Sequence, residues 1–135
     1  MPKFEFLNHP IDLKIKAYGK DLPSLFKNAA LGMMTYLYPR HVDIEEHETK
    51  AKIRLKAKDE KELLIDWLEE ILELSNEKDV CYNDFDIKKL NEEELTATIW
   101  GRRVKSKENI KSIIKSETDL IQELEGYSII IIFDL

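Results

Sequence analysis

A chain of 135 residues carrying a single cysteine and a net charge of −6 fits one domain, large enough to bury a core without disulfide or metal staples. The acidic balance argues against a protein that holds nucleic acid by its overall field, since phosphate contacts need clustered Lys and Arg. No run is long and uncharged enough to span a bilayer, and the N-terminus lacks the basic-then-apolar pattern of a signal peptide, so a cytoplasmic protein is expected.

Phe4-Glu5-Phe6-Leu7 alternates and ends at Asn8-His9-Pro10, where the proline removes a backbone donor and restricts His9 to extended conformations. Residues 11–18 alternate again, the pattern of a strand with one buried face, and Asp12 falls on its polar side beside the Pro10 corner. Gly19-Lys20 makes a turn. Asp21 is a good N-cap, Pro23 is tolerated in a first turn, and Leu22, Leu25, Phe26, Ala29, Ala30, Met33 and Leu37 share one stripe. An amphipathic helix is therefore predicted over about residues 22–38, stopped by Pro39, with its Met and aromatic residues filling core.

Residues 45–57 read as a strand with Ala51, Ile53, Leu55 and Ala57 on one face and charged side chains on the other. His41 and His47 lie in or beside a charged loop without a second ligand at metal spacing, and read as exposed histidines. Asp59 and Glu62 form a capping-box pattern that opens a second helix over about residues 60–75, with Leu63, Leu64, Trp67, Leu68, Ile71 and Leu72 inward. The acids opposite that stripe, Asp66, Glu69, Glu70 and Glu73, read as a solvated face. Residues 80–90, with a possible bulge at Asn83-Asp84, and 95–100 form a hairpin that Gly101 is expected to break. Segment 102–111 is the most basic part of the chain and offers a patch for RNA or an acidic partner; without interleaved aromatic rings for stacking, a solvated loop is the favoured reading. Residues 110–121 are ambiguous between strand and short helix, with strand favoured.

Residues 127–133 hold four consecutive isoleucines between two aromatics, leaving no polar face, so this segment is predicted to be the central strand with both faces covered. It ends in Asp134 and Leu135, and the last residue adds its own α-carboxylate. If the second and last strands are neighbours, Asp12 and Asp134 meet at one edge of the sheet, where two carboxylates repel unless a proton or cation lies between them. Oxygen-only ligands suit a hard ion such as Ca²⁺ or Mg²⁺. Spacing alone leaves two unrelated surface acids as the alternative. The chain holds no Gly-rich phosphate loop, HExxH or CxxC motif.

Taken together, Phe4-Glu5-Phe6-Leu7-Asn8-His9-Pro10-Ile11-Asp12, Ala17-Tyr18-Gly19, Asn28-Ala29-Ala30, the helix from Leu63 to Leu72, Ile110-Lys111-Ser112-Ile113-Ile114 and Ile132-Phe133-Asp134-Leu135 resemble the archease family in its order and length. The chain departs from the family pattern at Asn8, where the family has an acid, at Pro10-Ile11 in place of Thr-Ala, at Arg102 in place of Glu, and at Ser116 in place of His. The resemblance implies a single α+β domain over residues 1–135, a mixed β-sheet with two amphipathic helices packed on it. It also implies a protein cofactor that is not an enzyme in its own right. Its partner would be the GTP-dependent RNA ligase of tRNA splicing, whose guanylylation and multiple turnover it promotes. Carried over, the metal site would be Asp12, Asp134 and Leu135, holding Ca²⁺ or, alternatively, Mg²⁺, with RNA contact indirect or weak. Rival readings are a small metal-dependent phosphoester hydrolase using His9 as acid or base, and a metal-free protein-binding scaffold.

Overall fold

The computed structural model describes residues 2–8, 10–105 and 108–135. In chain order the elements are β1 (Phe4–Leu7), β2 (Leu13–Gly19), α1 (Leu22–Leu37), β3 (Thr49–Lys56), α2 (Glu60–Lys78), β4 (Val80–Leu90), β5 (Glu94–Arg103), β6 (Ser112–Ile113), β7 (Asp119–Glu123) and β8 (Gly126–Asp134). The fold is α+β with two helices packed on sheet, as expected, but the strands are divided between two antiparallel sheets instead of lying in one mixed sheet. The first sheet runs β1-β2-β8-β6 with β7 also on β8, and the second runs β3-β5-β4.

β8 is central: β2 pairs along one edge, while β7 and then β6 share the other. Ile129, Ile131 and Phe133 are fully buried in the core, whereas Ile130 on the opposite face is only half-buried. One face is thus sealed by the core and the other shielded incompletely, less than the unbroken apolar run implies. Gly126 opens the strand at φ +150°, a conformation that other residues rarely adopt.

Both helix starts follow from local chemistry. The Asp21 carboxylate accepts from the Ser24 amide at 2.8 Å and the Asp59 carboxylate from the Glu62 amide at 2.9 Å, each satisfying a donor the helix leaves open. Glu62 pairs with Lys58 at 3.7 Å. Asn28 donates to the Tyr18 carbonyl at 2.7 Å and so ties α1 to the end of β2. α2 runs past the expected end to Lys78, because buried Ser75 donates to the Val80 carbonyl at 2.8 Å and shares a 2.7 Å bond with Tyr38. Asp79, left-handed at φ 53°, then turns the chain directly into β4.

Gly101 does not end its strand. β5 continues to Arg103, and a Cβ at Gly101 would collide with the Cys81 carbonyl, so the glycine lets β4 approach closely just before the register shift between Tyr82 and Asp84. β3 begins at Thr49 instead of near residue 45, because the preceding loop is pinned by Asn83, which donates to the Val42 and Ile44 carbonyls at 2.8 and 2.7 Å. Residues 110–121 split into β6, a 3-10 turn at Lys115–Glu117 and β7.

Trp67 joins the layers. It is fully buried, donates to the Phe26 carbonyl at 2.9 Å, and packs edge-on against Phe85 at 6.0 Å between centroids, linking α2 to α1 and to β4. One cluster of buried side chains draws on both sheets and both helices. Replacing Trp67 by Ala is expected to cost about 3–5 kcal/mol in urea unfolding. The Asp21 cap supplies a pH-dependent counterpart. The hydrogen bonds from Ser24 hold its carboxyl below the usual carboxylate range, so its contribution is present above the unfolded pKa and is lost as pH falls through the lower folded one. Asp21→Ala should cost about 1 kcal/mol at neutral pH, and the gap between variant and parent should close on acidification.

Candidate metal centre

The β2–β8 ladder decides where the predicted acids sit. Its last pair is Leu13 with Phe133, and Asp12 and Asp134 are the next residue on each chain. Alternation along β8 puts Asp134 on the face opposite Phe133, the same face as Ile130 and Ile132, while Asp12 lies in the bend just before β2, one residue outside the paired ladder. Both aspartates are half-buried. Asp134 is held from its other side by β6: Ser112 is its strand partner and the Lys111 amide donates to its carbonyl at 2.8 Å. Leu135 follows at the exposed margin. The structure therefore brings the two predicted acids to one end of one sheet, Asp134 closing β8 and Asp12 in the bend that leads into β2.

The donor chemistry fits a hard cation. Two carboxylates, the hydroxyl of Ser112, the strand partner of Asp134, and main-chain oxygen at Leu135 would offer oxygen donors only, with no thiolate or imidazole among them. Among the described residues, no three of His, Cys, Asp and Glu gather in a way that would hold a metal. The predicted set needs only two such side chains, so that result does not bear on it. It does mean that any ion here keeps positions for water or another molecule's oxygens.

The remaining candidates disperse. His9 lies outside the described residues. Asn8 and Ile11 are exposed, and Ser116 is exposed in the 3-10 turn. His47 is bonded to Asn83 at 3.0 Å. Cys81 is fully buried and burial pushes its thiol up to about 12, against an opposing pull from Arg102, which makes it a core residue and not a nucleophile. Asp66 is pushed up by burial and then by Glu69, the behaviour of a crowded acidic helix face. An open cleft of about 560 Å³ lies at the far end of the β2–β8 ladder, lined by Tyr18, Ser24, Asn28 and Tyr127. It is six strand residues, about 20 Å, from the aspartates. No described helix is long and apolar enough to cross a membrane.

The basic segment 102–111 is not one loop. Arg102 and Arg103 end β5, Arg102 pairs with Glu48 at 3.9 Å, and Lys107 lies outside the described residues. A row of cations that periodicity alone marks only as the charged face of a strand, Lys50, Lys52, Arg54 and Lys56, stands exposed along β3. The signal was present as alternation with basic residues at every second position.

The profile of the archease protein family (MTH1598/TM1083) matches residues 4–135. The chain is 28% identical over 144 aligned residues to protein archease of Methanosarcina barkeri, covering 98% of this chain and 96% of the relative. It is similar to the solution structure of protein 1598 from Methanobacterium thermoautotrophicum, with a TM-score of 0.82, 25% identity and full coverage of both chains. A crystal structure of an archease from Thermotoga maritima, described as a possible chaperone, shares the fold at a TM-score of 0.66 and 15% identity, over 96% of this chain and 98% of that one. A match running from the first strand to the last residue, on the fold described above, makes this chain a member of the archease family.

Proposed function

We propose that the protein is a cofactor, not an enzyme in its own right, that activates the GTP-dependent RNA ligase of tRNA splicing by promoting its guanylylation and repeated turnover. The observation that supports the reading is the β2–β8 register, whose last pair, Leu13 with Phe133, leaves Asp12 and Asp134 as the next residue on each chain, within a chain of the archease family. In this reading Asp12 and Asp134 hold a divalent cation, Ca²⁺ or Mg²⁺, with Leu135 offering main-chain oxygen. Calcium takes roughly six to eight oxygens, more than this corner supplies, so the partner's phosphates or carboxylates complete the shell. The bound ion would neutralise charge where the two proteins and a nucleotide meet. The chain's own part is to hold two anions on a rigid ladder and leave the open side toward the partner. The description of the Thermotoga protein as a possible chaperone agrees with the broader idea of a protein that acts on another protein.

The test is ligase guanylylation and multiple-turnover joining with and without this protein. Wild type should stimulate both, and Asp12→Ala and Asp134→Ala should each reduce the stimulation at least about tenfold, as expected when a charged ligand worth about 1.4 kcal/mol or more is lost. Unfolding midpoints close to wild type would show that the loss is local. No stimulation of the ligase by wild-type protein would sink the proposal. Phosphoester turnover by purified protein, abolished by Asp134→Asn, would replace it with the hydrolase reading.

A further inference from the structure

The second sheet has a solvent face with its own chemistry. β3 alternates: Ala51, Ile53 and Leu55 turn toward the helices, and Lys50, Lys52, Arg54 and Lys56 turn outward, all four exposed. Every second residue of a strand is about 6.8 Å along, so the four cations form a row about 20 Å long at the edge of the sheet. The register sets Trp100, Thr98, Thr96 and Glu94 of β5 directly beside Lys50, Lys52, Arg54 and Lys56. Trp100 is only half-buried and has no ring partner among the described residues, in contrast to Trp67. Farther out, β4 places Asp84, Asp86 and Lys89 beside Trp100, Thr98 and Thr96. Two of the acids on this face are engaged: Asp86 with Lys88, and Glu94 with Lys89 at 2.9 Å. The β3 cations make no ion pair within 4 Å among the described residues.

We infer that this face binds single-stranded nucleic acid, with the β3 row tracking the phosphates and Trp100 stacking on a base. An extended single strand presents successive anions at spacings comparable to those of the row, and its unpaired bases expose the π-faces that an open aromatic side chain accepts. The net charge of −6 does not by itself oppose this: on this face Asp86 and Glu94 are paired with lysines, Asp84 lies two strands from the row, and fields fall off within about 8 Å at physiological ionic strength. Lysines on an edge strand also discourage strand pairing between molecules, but that role calls for no half-exposed tryptophan in the neighbouring row. The surface belongs to the other sheet from Asp12 and Asp134 and does not rest on the metal reading.

The test is anisotropy of labelled oligouridylate, oligothymidylate and a duplex, titrated with the full chain between about 50 and 200 mM salt, with tryptophan fluorescence followed in parallel. Single strands should bind and quench Trp100, with a log–log salt slope approaching about −2.8 for four cations at about −0.7 each. The two single-strand arms show whether the sugar matters; either one binding supports the inference. Lys52→Glu with Arg54→Glu should weaken binding at least about tenfold and flatten the slope by about 1.4. Trp100→Ala should weaken it about tenfold, and Trp100→Phe should restore most of the loss. Lys3→Glu with Lys27→Glu, the same charge change at exposed positions elsewhere, should have little effect. No single-strand binding at the lowest salt, equal affinity for the duplex, an equal loss from the control pair, or tighter binding of polyglutamate than of either oligonucleotide would overturn the inference.

Discussion

The pairing of β2 with β8 is the constraint on which the rest of the molecule depends. Ile129, Ile131 and Phe133 are fully buried and face Ala17, Ile15 and Leu13 across the ladder, all of them core residues. A slip of one residue would turn that whole set to the other face, so the apolar side fixes the register and the register fixes the aspartates. Burying three large apolar side chains contributes about 2 kcal/mol each.

The two sheets divide the chemistry between them. The first has Asp12 and Asp134 at one end of its central ladder, and the second turns a basic, aromatic-bearing face outward. The helices lie between these surfaces in chain contact with both, and Trp67 couples them through Phe26 and Phe85. Opposite charges on separate sheets let one small acidic protein present two unlike surfaces without mutual neutralisation, because screening at physiological ionic strength acts over about 8 Å.

Much of this was legible in the residues. Periodicity marked both helices and their inward stripes, Asp21 and Asp59 marked the helix starts, and four isoleucines marked the central strand. What failed did so where long-range contact overrode local pattern. Gly101 reads as a breaker but serves the close approach of β4, and Ser75 reads as a helix end but is buried against Tyr38 and Val80. The division into two sheets is not written in any one segment, since strands of either sheet alternate alike. Asp12 and Asp134 stand out in the sequence because each is polar where a strand ends; that they come to the same end of one sheet follows only from the register. Lys50, Lys52, Arg54 and Lys56 were visible as a charged strand face, but their place beside Trp100 required the β3–β5 pairing.

The central claim is that Asp12 and Asp134 form one site and not two surface acids. Calorimetric titration of Ca²⁺ into wild type, Asp12→Asn, Asp134→Asn and the double variant tests it most directly. One shared site gives measurable binding to wild type, a large loss in each single variant, and a double variant scarcely worse than either, because a broken pair cannot be broken twice. Unchanged binding in the single variants, or small losses that simply add in the double, would contradict it.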